Sequence, residues 1–489
     1  MSQQTQIPEL DNVGLLRFMW RQLTSMRTAL ILLLLVGIAA IPGSLFPQRT
    51  QNPLQVGQYF KDSPDQARWM DRFYLFDVYG SPWFSAIYIL LFISLIGCVL
   101  PRTIEHFKAA RALPPATPKN LSRLEHHHSW NAQGNELELA RNWFKSKRFR
   151  VLESNGSISA EKGFARETGN LFFHLALILI LLGISFSSLF GMRGEAIVNV
   201  GERFVNTATS YDTLTYGKLY RDSNIPAFML TADKFVAEYN VQTSAPEDYT
   251  LEVSLLREGA TKVEKKTIKV NSPMTIGTTR VYLQANGYSP VVTVRDSKGD
   301  VAFQGPVTFL PQDANLRSIG AIKVPDADPQ IGFLGSFLPT YVRDGANGGA
   351  SAFPKALNPR LLISVWSGDL GLDSGIPQSV YRIDTTDMVQ IGLKGLKPGE
   401  SYAYEGGSIT FEGYVQWVNL NFVADPGKHL ALLGGIVAIL GLLASLFTRR
   451  RRIWIRVGDE VEVAGLAKNA APGLEIEMKE FVKMLKGEK

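Results

Sequence analysis

The segment NLFFHLALILILLGISFSSLF, residues 170–190, decides the fold class of this 489-residue chain. It contains no Asp, Glu, Lys or Arg, and its one histidine is His174. An α-helix rises about 1.5 Å per residue, so about 20 mostly apolar residues are needed to cross the hydrocarbon layer of a bilayer. The segment meets both requirements, and we therefore predict a membrane-spanning helix here.

Three further segments have a similar length and apolar character: residues 28–46, 82–100 and 430–447. Any one of them could be a buried core helix, but four such segments in one chain disfavour that interpretation. The sequence therefore predicts a polytopic α-helical membrane protein with four spans.

Basic residues near the predicted spans give the orientation, because cytoplasmic loops are enriched in Lys and Arg. Twelve Lys or Arg lie between the second and third spans, and four consecutive arginines follow the fourth at Arg449–Arg452. Residues 48–81 carry four basic and four acidic residues. We therefore predict both termini in the cytoplasm.

The predicted division is a cytoplasmic N-terminal segment (1–27), spans at 28–46, 82–100, 170–190 and 430–447, an outer loop (47–81), a cytoplasmic loop (101–169), an extracytoplasmic domain (191–429) and a cytoplasmic tail (448–489).

The large domain, residues 191–429, reads as β-rich, because short runs of alternating apolar and polar residues recur between turn signals. A sandwich or a barrel-like domain is expected. The predicted strands are 249–256, 264–270, 279–283, 291–294, 361–365 and 409–414, with hairpin turns at 297–300 and 405–407.

The cytoplasmic loop contains a small α+β unit. Residues 136–144 read as a helix, and 149–152 and 157–160 read as strands joined by Asn155-Gly156, a type I′ hairpin signal. Apolar residues from Leu474 to Leu485 share one face of a predicted helix in the tail. That helix is expected to dock on the protein or on the membrane surface, and contact with a partner is a third possibility.

Several classes of function lack their sequence signals. Cys98 is the one cysteine, which excludes a disulfide within the chain and any Cys-x-x-Cys site. Phosphate-loop, His-Glu-x-x-His and Gly-x-Ser-x-Gly motifs are absent as well. The basic runs flank membrane spans, so topology accounts for them and nucleic acid is not an expected partner.

His174 is the leading candidate for a functional residue, because ionisable groups inside a span are costly and face a partner or a cavity. Two interpretations remain open: an axial ligand of haem iron, and a histidine that forms a hydrogen bond between helices. Cys98 lies at a similar depth and is a weak second candidate, although buried cysteines usually only pack. His429 is expected to cap the fourth span, and His126–His128 are expected to be solvated.

The chain resembles the ResB family of cytochrome c biogenesis, one of two core subunits of the System II haem-attachment machinery. The resemblance covers nearly the whole chain. Each motif is short, but the order of the motifs relative to the four predicted spans is specific to the family. The motifs are IPGSLFPQ (41–48), LFDVYGSPWF (75–84), CVLPR (98–102), EKG (161–163), GNLFFH (169–174) and DPG (425–427).

The resemblance implies a subunit of the System II cytochrome c synthase complex in the cytoplasmic (plasma) membrane, needed to deliver haem across the membrane and attach it to apocytochrome c. It implies a tryptophan-rich haem-handling membrane subunit as partner and apocytochrome c as client. Haem b is the expected cofactor, held transiently and shared with the partner, with His174 as the family's span histidine. No catalytic residue is carried over, so the chain is expected to be an accessory or non-enzymatic subunit of a haem lyase. The rival functions are a transport protein with an extracytoplasmic cap and an assembly factor that does not contact haem.

Overall fold

The computed structural model describes residues 11–49, 51–343, 349–372, 379–467 and 472–488. The chain divides into two units, Met1–Ser185 with Gly427–Lys489, and Phe186–Pro426. The first ten residues of the predicted N-terminal segment lie outside the described residues.

The described residues form α-helices and β-strands along the whole chain. The helices are α1 (Asn12–Leu23), α2 (Met26–Leu45), α3 (Pro53–Asp62), α4 (Pro64–Arg72), α5 (Pro82–Arg111), α6 (Glu136–Ser146), α7 (Ala165–Phe190), α8 (Lys428–Phe447) and α9 (Pro472–Lys486). The strands are β1 (His126–Asn131), β2 (Arg150–Ser154), β3 (Ser157–Lys162), β4 (Met192–Asn199), β5 (Arg203–Val205), β6 (Thr213–Tyr216), β7 (Phe228–Tyr239), β8 (Pro246–Arg257), β9 (Glu264–Lys269), β10 (Met274–Ile276), β11 (Thr279–Asp296), β12 (Val301–Pro306), β13 (Leu310–Pro311), β14 (Ser318–Val324), β15 (Ile331–Leu338), β16 (Tyr341–Val342), β17 (Ala350–Ser351), β18 (Arg360–Ser367), β19 (Val389–Leu396), β20 (Glu400–Tyr404), β21 (Gly407–Ala424), β22 (Arg451–Val457) and β23 (Glu460–Ala467).

Four helices of the described residues are long and apolar enough to cross a membrane: α2, α5, α7 and α8. They coincide with the four predicted spans, and the protein is a polytopic membrane protein with a large β-rich domain. The hydroxyl groups of Ser25 and Ser81 accept hydrogen bonds from Thr28 N and Phe84 N, which caps the starts of α2 and α5. The helix α5 continues beyond residue 100 to Arg111, and α7 begins at Ala165, before residue 170. Both extensions carry charged residues, so the helices are longer than their apolar segments.

Small residues bring α7 and α8 close together. A Cβ atom added at Gly169 would lie 2.5 Å from the carbonyl oxygen of Gly441, and one at Gly183 would lie 2.7 Å from Ala431 N. Larger side chains at these positions would separate the helices, which pack through small residues as membrane helices commonly do.

The cytoplasmic loop and the tail of the sequence analysis form one mixed domain, with the strand order β1-β23-β22-β3-β2. The predicted hairpin is confirmed, because Asn155 and Gly156 both have positive φ, at 45° and 70°. The tail strands β22 and β23 were not predicted. They pair with β3 and β1, so the loop unit is not an independent domain. The helices α6 and α9 pack on this sheet, and the buried face of α9 therefore docks on the protein, as one of the predicted alternatives proposed.

The β-rich domain is built on two 18-residue antiparallel strands, β11 and β21. One half of this long ribbon contributes to a core with β7 and β8, and the other half to a core with β14, β15 and β18. The β-rich prediction is confirmed. The predicted strands 279–283 and 291–294 are wrong as separate elements, because both belong to β11. The intervening residues, which read as turn signals, stay paired with β21 through bulges at Leu283/Ala285 and Val291/Val292.

Candidate functional site

His174 lies on the face of α7 that is directed away from α8. At about 100° per residue, it is roughly 160° around the helix from Ala176, which contacts α8. The imidazole is half-buried, and neither ring nitrogen forms a hydrogen bond with any described residue. The interhelical hydrogen bond that the sequence left open is therefore not formed within the described part of the chain.

The helices α5 and α7 run antiparallel, and two contacts set their register. Near one end, the hydroxyl of Tyr88 donates to the carbonyl oxygen of Leu181 at 2.9 Å. Near the other end, His106 Nε2 lies 2.9 Å from Thr168 Oγ1. The segment of α5 between residues 88 and 106 therefore runs alongside the part of α7 that carries His174.

Arg102 lies near the level of His174 on the neighbouring helix. At 1.5 Å per residue, the His106–Thr168 contact places the two residues about 3 Å apart along the helix axes, and the Tyr88–Leu181 contact places them about 10 Å apart. The Arg102 side chain is exposed and forms no ion pair with a described carboxylate. Sequence analysis assigned Arg102 only to topology and to a family motif.

Cys98 also lies at this level, one helical turn before Arg102. Its thiol is half-buried and donates a weak hydrogen bond to the carbonyl oxygen of Leu95 at 3.4 Å. On α5 it is about 80° from Tyr88, which faces α7, whereas Arg102 is about 40° from Tyr88. Arg102 therefore faces α7 more directly than Cys98 does.

His106 was missed by the sequence analysis, which assigned no role to this residue. The Thr168 hydroxyl donates to the carbonyl oxygen of Phe164 at 3.1 Å, so it accepts the hydrogen bond from His106 Nε2. The imidazole ring also lies 5.8 Å from the ring of Phe164. His106 thus joins α5 to α7, the role that the sequence offered as one alternative for His174. Its spacing of four residues from Arg102 was the available signal.

The other histidines belong to other secondary-structure elements, β1 and α8. His126–His128 belong to β1, where His127 Nε2 is 3.5 Å from a carboxylate oxygen of Glu462. Burial lowers the pKa of His128, and the nearby charge of Lys486 lowers it further. His429 is exposed at the second position of α8, but the N-cap residue is Gly427 and no side chain caps this helix, so the predicted capping role is not seen.

The side chains of His174 and Arg102 fit haem better than a bare metal ion. In the ranges that the structure describes, no group of three or more His, Cys, Asp or Glu side chains could hold a metal ion. The imidazole of His174, which has no hydrogen bond to a described residue, would hold haem iron, and the nearby cation of Arg102 would contact the carboxylates of the porphyrin. The chain would thus supply one iron ligand, and the second would come from elsewhere.

The β-rich domain has a separate aromatic cleft of about 360 Å³. Its lining includes Phe235, Tyr239, Tyr288, Tyr414 and Lys355. Burial raises the pKa of Tyr239 and Tyr288 well above the ordinary value, so both phenols are neutral. The cleft therefore offers aromatic surface and one cation.

Comparison with known proteins gives consistent results. The profile of the ResB-like family matches residues 26–479. The chain is 23% identical to the cytochrome c biogenesis protein CcsB of Microcystis aeruginosa over 95% of this chain and 94% of that protein. It is 26% identical to the cytochrome c biogenesis protein Ccs1 of Rhodomonas salina, over 95% of this chain and 96% of that protein. With this match over most of its length, and with the four spans and the β-rich domain described above, the chain belongs to the ResB-like family.

Proposed function

We propose that this ResB-like protein acts in cytochrome c biogenesis as a membrane subunit that holds haem b on its way to apocytochrome c. The observation that carries the proposal is the His174 imidazole, which lies inside a span without a hydrogen bond to any described residue. An unpaired imidazole in a span is costly, and iron ligation would satisfy one of its nitrogens. The names of the relatives support the process, since they are cytochrome c biogenesis proteins.

The single imidazole supports a shared site. The His174 imidazole would be the one ligand that α7 provides for haem iron. We therefore propose that a second membrane subunit, the tryptophan-rich haem-handling partner, provides the other. The part of the His174 ring that α5 and α8 leave exposed would face that subunit. Cys98 remains a weak candidate for a contact at the same level.

The charge distribution supports an orientation in which the mixed domain and both termini are cytoplasmic. His174 would then lie near the cytoplasmic end of its span, so haem would be received from the cytoplasmic side. The β-rich domain would be extracytoplasmic. Its role would be to hold unfolded apocytochrome c, whose segments would contact the aromatic cleft around Tyr288 and Tyr414.

The test is the haem content of the complex purified with its partner subunit. Wild type, His174→Ala and the matched control His429→Ala would be compared by haem absorbance and by a pyridine hemochrome assay. We expect His174→Ala to lose most of its haem, and His429→Ala to retain it, because His429 lies at the end of another span. Unchanged haem and unchanged holocytochrome yield in His174→Ala would contradict the proposal.

The same experiment separates the rival functions. An assembly factor that does not contact haem would leave haem content independent of His174. Crosslinking of an apocytochrome peptide would test the client role, with capture within residues 191–426 as the expected result. Capture on the partner alone would exclude a client-binding role for the β-rich domain.

A further inference from the structure

We propose that Arg102 binds a propionate carboxylate of the haem held at His174, so that haem is attached to this chain at two points. The inference depends on the proposed function, because it concerns the same site. It adds a second residue, on a different helix. It also specifies which edge of the porphyrin faces the end of α5 that carries Arg102.

The placement of Arg102 follows from the register of α5 and α7. The His106–Thr168 contact at 2.9 Å puts Arg102 and His174 about 3 Å apart along the helices, and the Tyr88–Leu181 contact puts them about 10 Å apart. Around α7, His174 lies between the two residues that contact α5, about 20° from Leu181 and about 120° from Thr168. Arg102 and His174 therefore lie on the sides of α5 and α7 that approach each other.

The charge of Arg102 is available for a ligand. Arg450 and Arg452, which follow the fourth span, are both engaged with the buried carboxylate of Glu161. Arg102 is exposed, and within the described ranges it has no ion-pair partner. A guanidinium group binds a carboxylate through two parallel hydrogen bonds, and it does so most strongly where water is depleted.

The porphyrin of haem b carries its propionate carboxylates on one edge. With the iron bound to His174 on α7, an Arg102–carboxylate contact on α5 would direct that edge toward the basic end of the two helices. The apolar edge would then point toward the middle of the spans. Such an orientation keeps the carboxylates out of the hydrocarbon layer, where their charge would be costly.

A role for Arg102 in membrane topology alone is the competing explanation, since any basic residue at this end of the span contributes to orientation. Arg111, on the same helix and beyond the His106 contact, provides the matched control. A purely topological role would be shared by both arginines, whereas carboxylate binding would be specific to Arg102.

The experiment measures haem affinity in the purified complex of the full chain with its partner. The haem-depleted complex would be titrated with ferric haem b and with its dimethyl ester, which has no free carboxylates, and binding would be followed by the Soret absorbance. We expect wild type to bind haem about tenfold more tightly than the ester, which corresponds to about 1.4 kcal/mol. In Arg102→Gln the two ligands should bind equally, Arg102→Lys should recover part of the preference, and Arg111→Gln should behave as wild type.

Two outcomes would overturn the inference: an undiminished preference for haem over the ester in Arg102→Gln, or an equal loss in Arg111→Gln. If Arg102→Gln is not recovered from the membrane, the wild-type titration decides the matter, because equal binding of haem and its dimethyl ester would exclude the carboxylate contact. A different result would contradict the proposed function: a His174→Ala complex whose haem affinity and Soret spectrum match those of wild type.

Discussion

The guanidinium of Arg450 donates a hydrogen bond to the buried carboxylate of Glu161, residues that are far apart in the chain. This pair connects the start of the tail to the end of β3. Arg452 donates to the same Glu161 oxygen at 2.8 Å, and Arg450 also pairs with Glu167 at 2.7 Å. The run of arginines after the fourth span thus also holds the mixed domain together.

Replacing Glu161 with Gln should destabilise the mixed domain, because the partly buried guanidinium groups of Arg450 and Arg452 lose their shared counter-charge. Loss of one partner from a fully buried ion pair typically costs about 3–5 kcal/mol, and the loss here should be smaller because Arg450 keeps its pair with Glu167. Limited proteolysis of the tail in detergent would report the change as faster cleavage. Glu153→Gln is the control, since its pair with Arg141 is exposed and should contribute little. Equal resistance of Glu161→Gln and wild type would contradict this account of the pair.

The stability of the mixed domain should fall in acid. Burial alone would raise the pKa of Glu161, but the hydrogen bonds from Arg450 and Arg452 hold it below its ordinary value. A carboxyl group with a lowered pKa in the folded state contributes stability that is fully present above its unfolded pKa of about 4.3. That contribution is lost as the pH falls through the lower, folded pKa. As the pH falls below about 4.3, tail cleavage by an acid-active protease should depend less on pH in Glu161→Gln than in wild type. An identical pH profile in both proteins would exclude the linkage.

Two adjacent glycines on α8 test the packing of α7 against α8. A Cβ atom at Gly434 would lie 2.7 Å from Ile180 Cγ1, whereas one at Gly435 would meet nothing within 4 Å. Gly434→Val should therefore lower the thermal stability in detergent, with a cost of about 1–3 kcal/mol for overpacking. Gly435→Val should have a small effect. The reverse order of the two melting temperatures would contradict the packing.

The lone cysteine makes the orientation directly testable. In a Cys98→Ala background, Ser297→Cys marks the turn between β11 and β12, and Ser146→Cys marks the end of α6; both serines are exposed. A thiol reagent that does not cross membranes should label the Ser297→Cys protein in intact cells, and the Ser146→Cys protein only after lysis. The opposite pattern would reverse the proposed sidedness and would place His174 near the outer end of its span.

The sequence predicted His174 because a histidine within an apolar segment is conspicuous, and it predicted the four spans by length and composition alone. It did not predict the position of Arg102 relative to His174. That relationship depends on how α5 and α7 align, which His106 and Tyr88 determine through contacts between distant residues. A basic residue after a span looks the same in the sequence whether it orients the helix or faces a ligand.

The strand pairing of the mixed domain also could not be predicted from the sequence. The tail strand β22 was overlooked because its arginines resembled a topological signal. Its pairing with β3 joins Arg452 to Glu161 across most of the chain. In β11, residues that are typical of turns lie inside a continuous strand, because β21 supplies hydrogen-bond partners along its whole length. Both features depend on tertiary pairing, which local sequence patterns do not encode.

The central claim is that the His174 imidazole binds haem iron, and chemical rescue in the purified complex tests it most directly. His174→Gly removes the ring and leaves space for free imidazole, while His429→Gly, at the start of another span, is the control. We expect the His174→Gly complex to lose its haem and its low-spin Soret spectrum, and added imidazole to restore both, while His429→Gly keeps them. A His174→Gly complex with wild-type haem content and an unchanged spectrum without imidazole would contradict the claim.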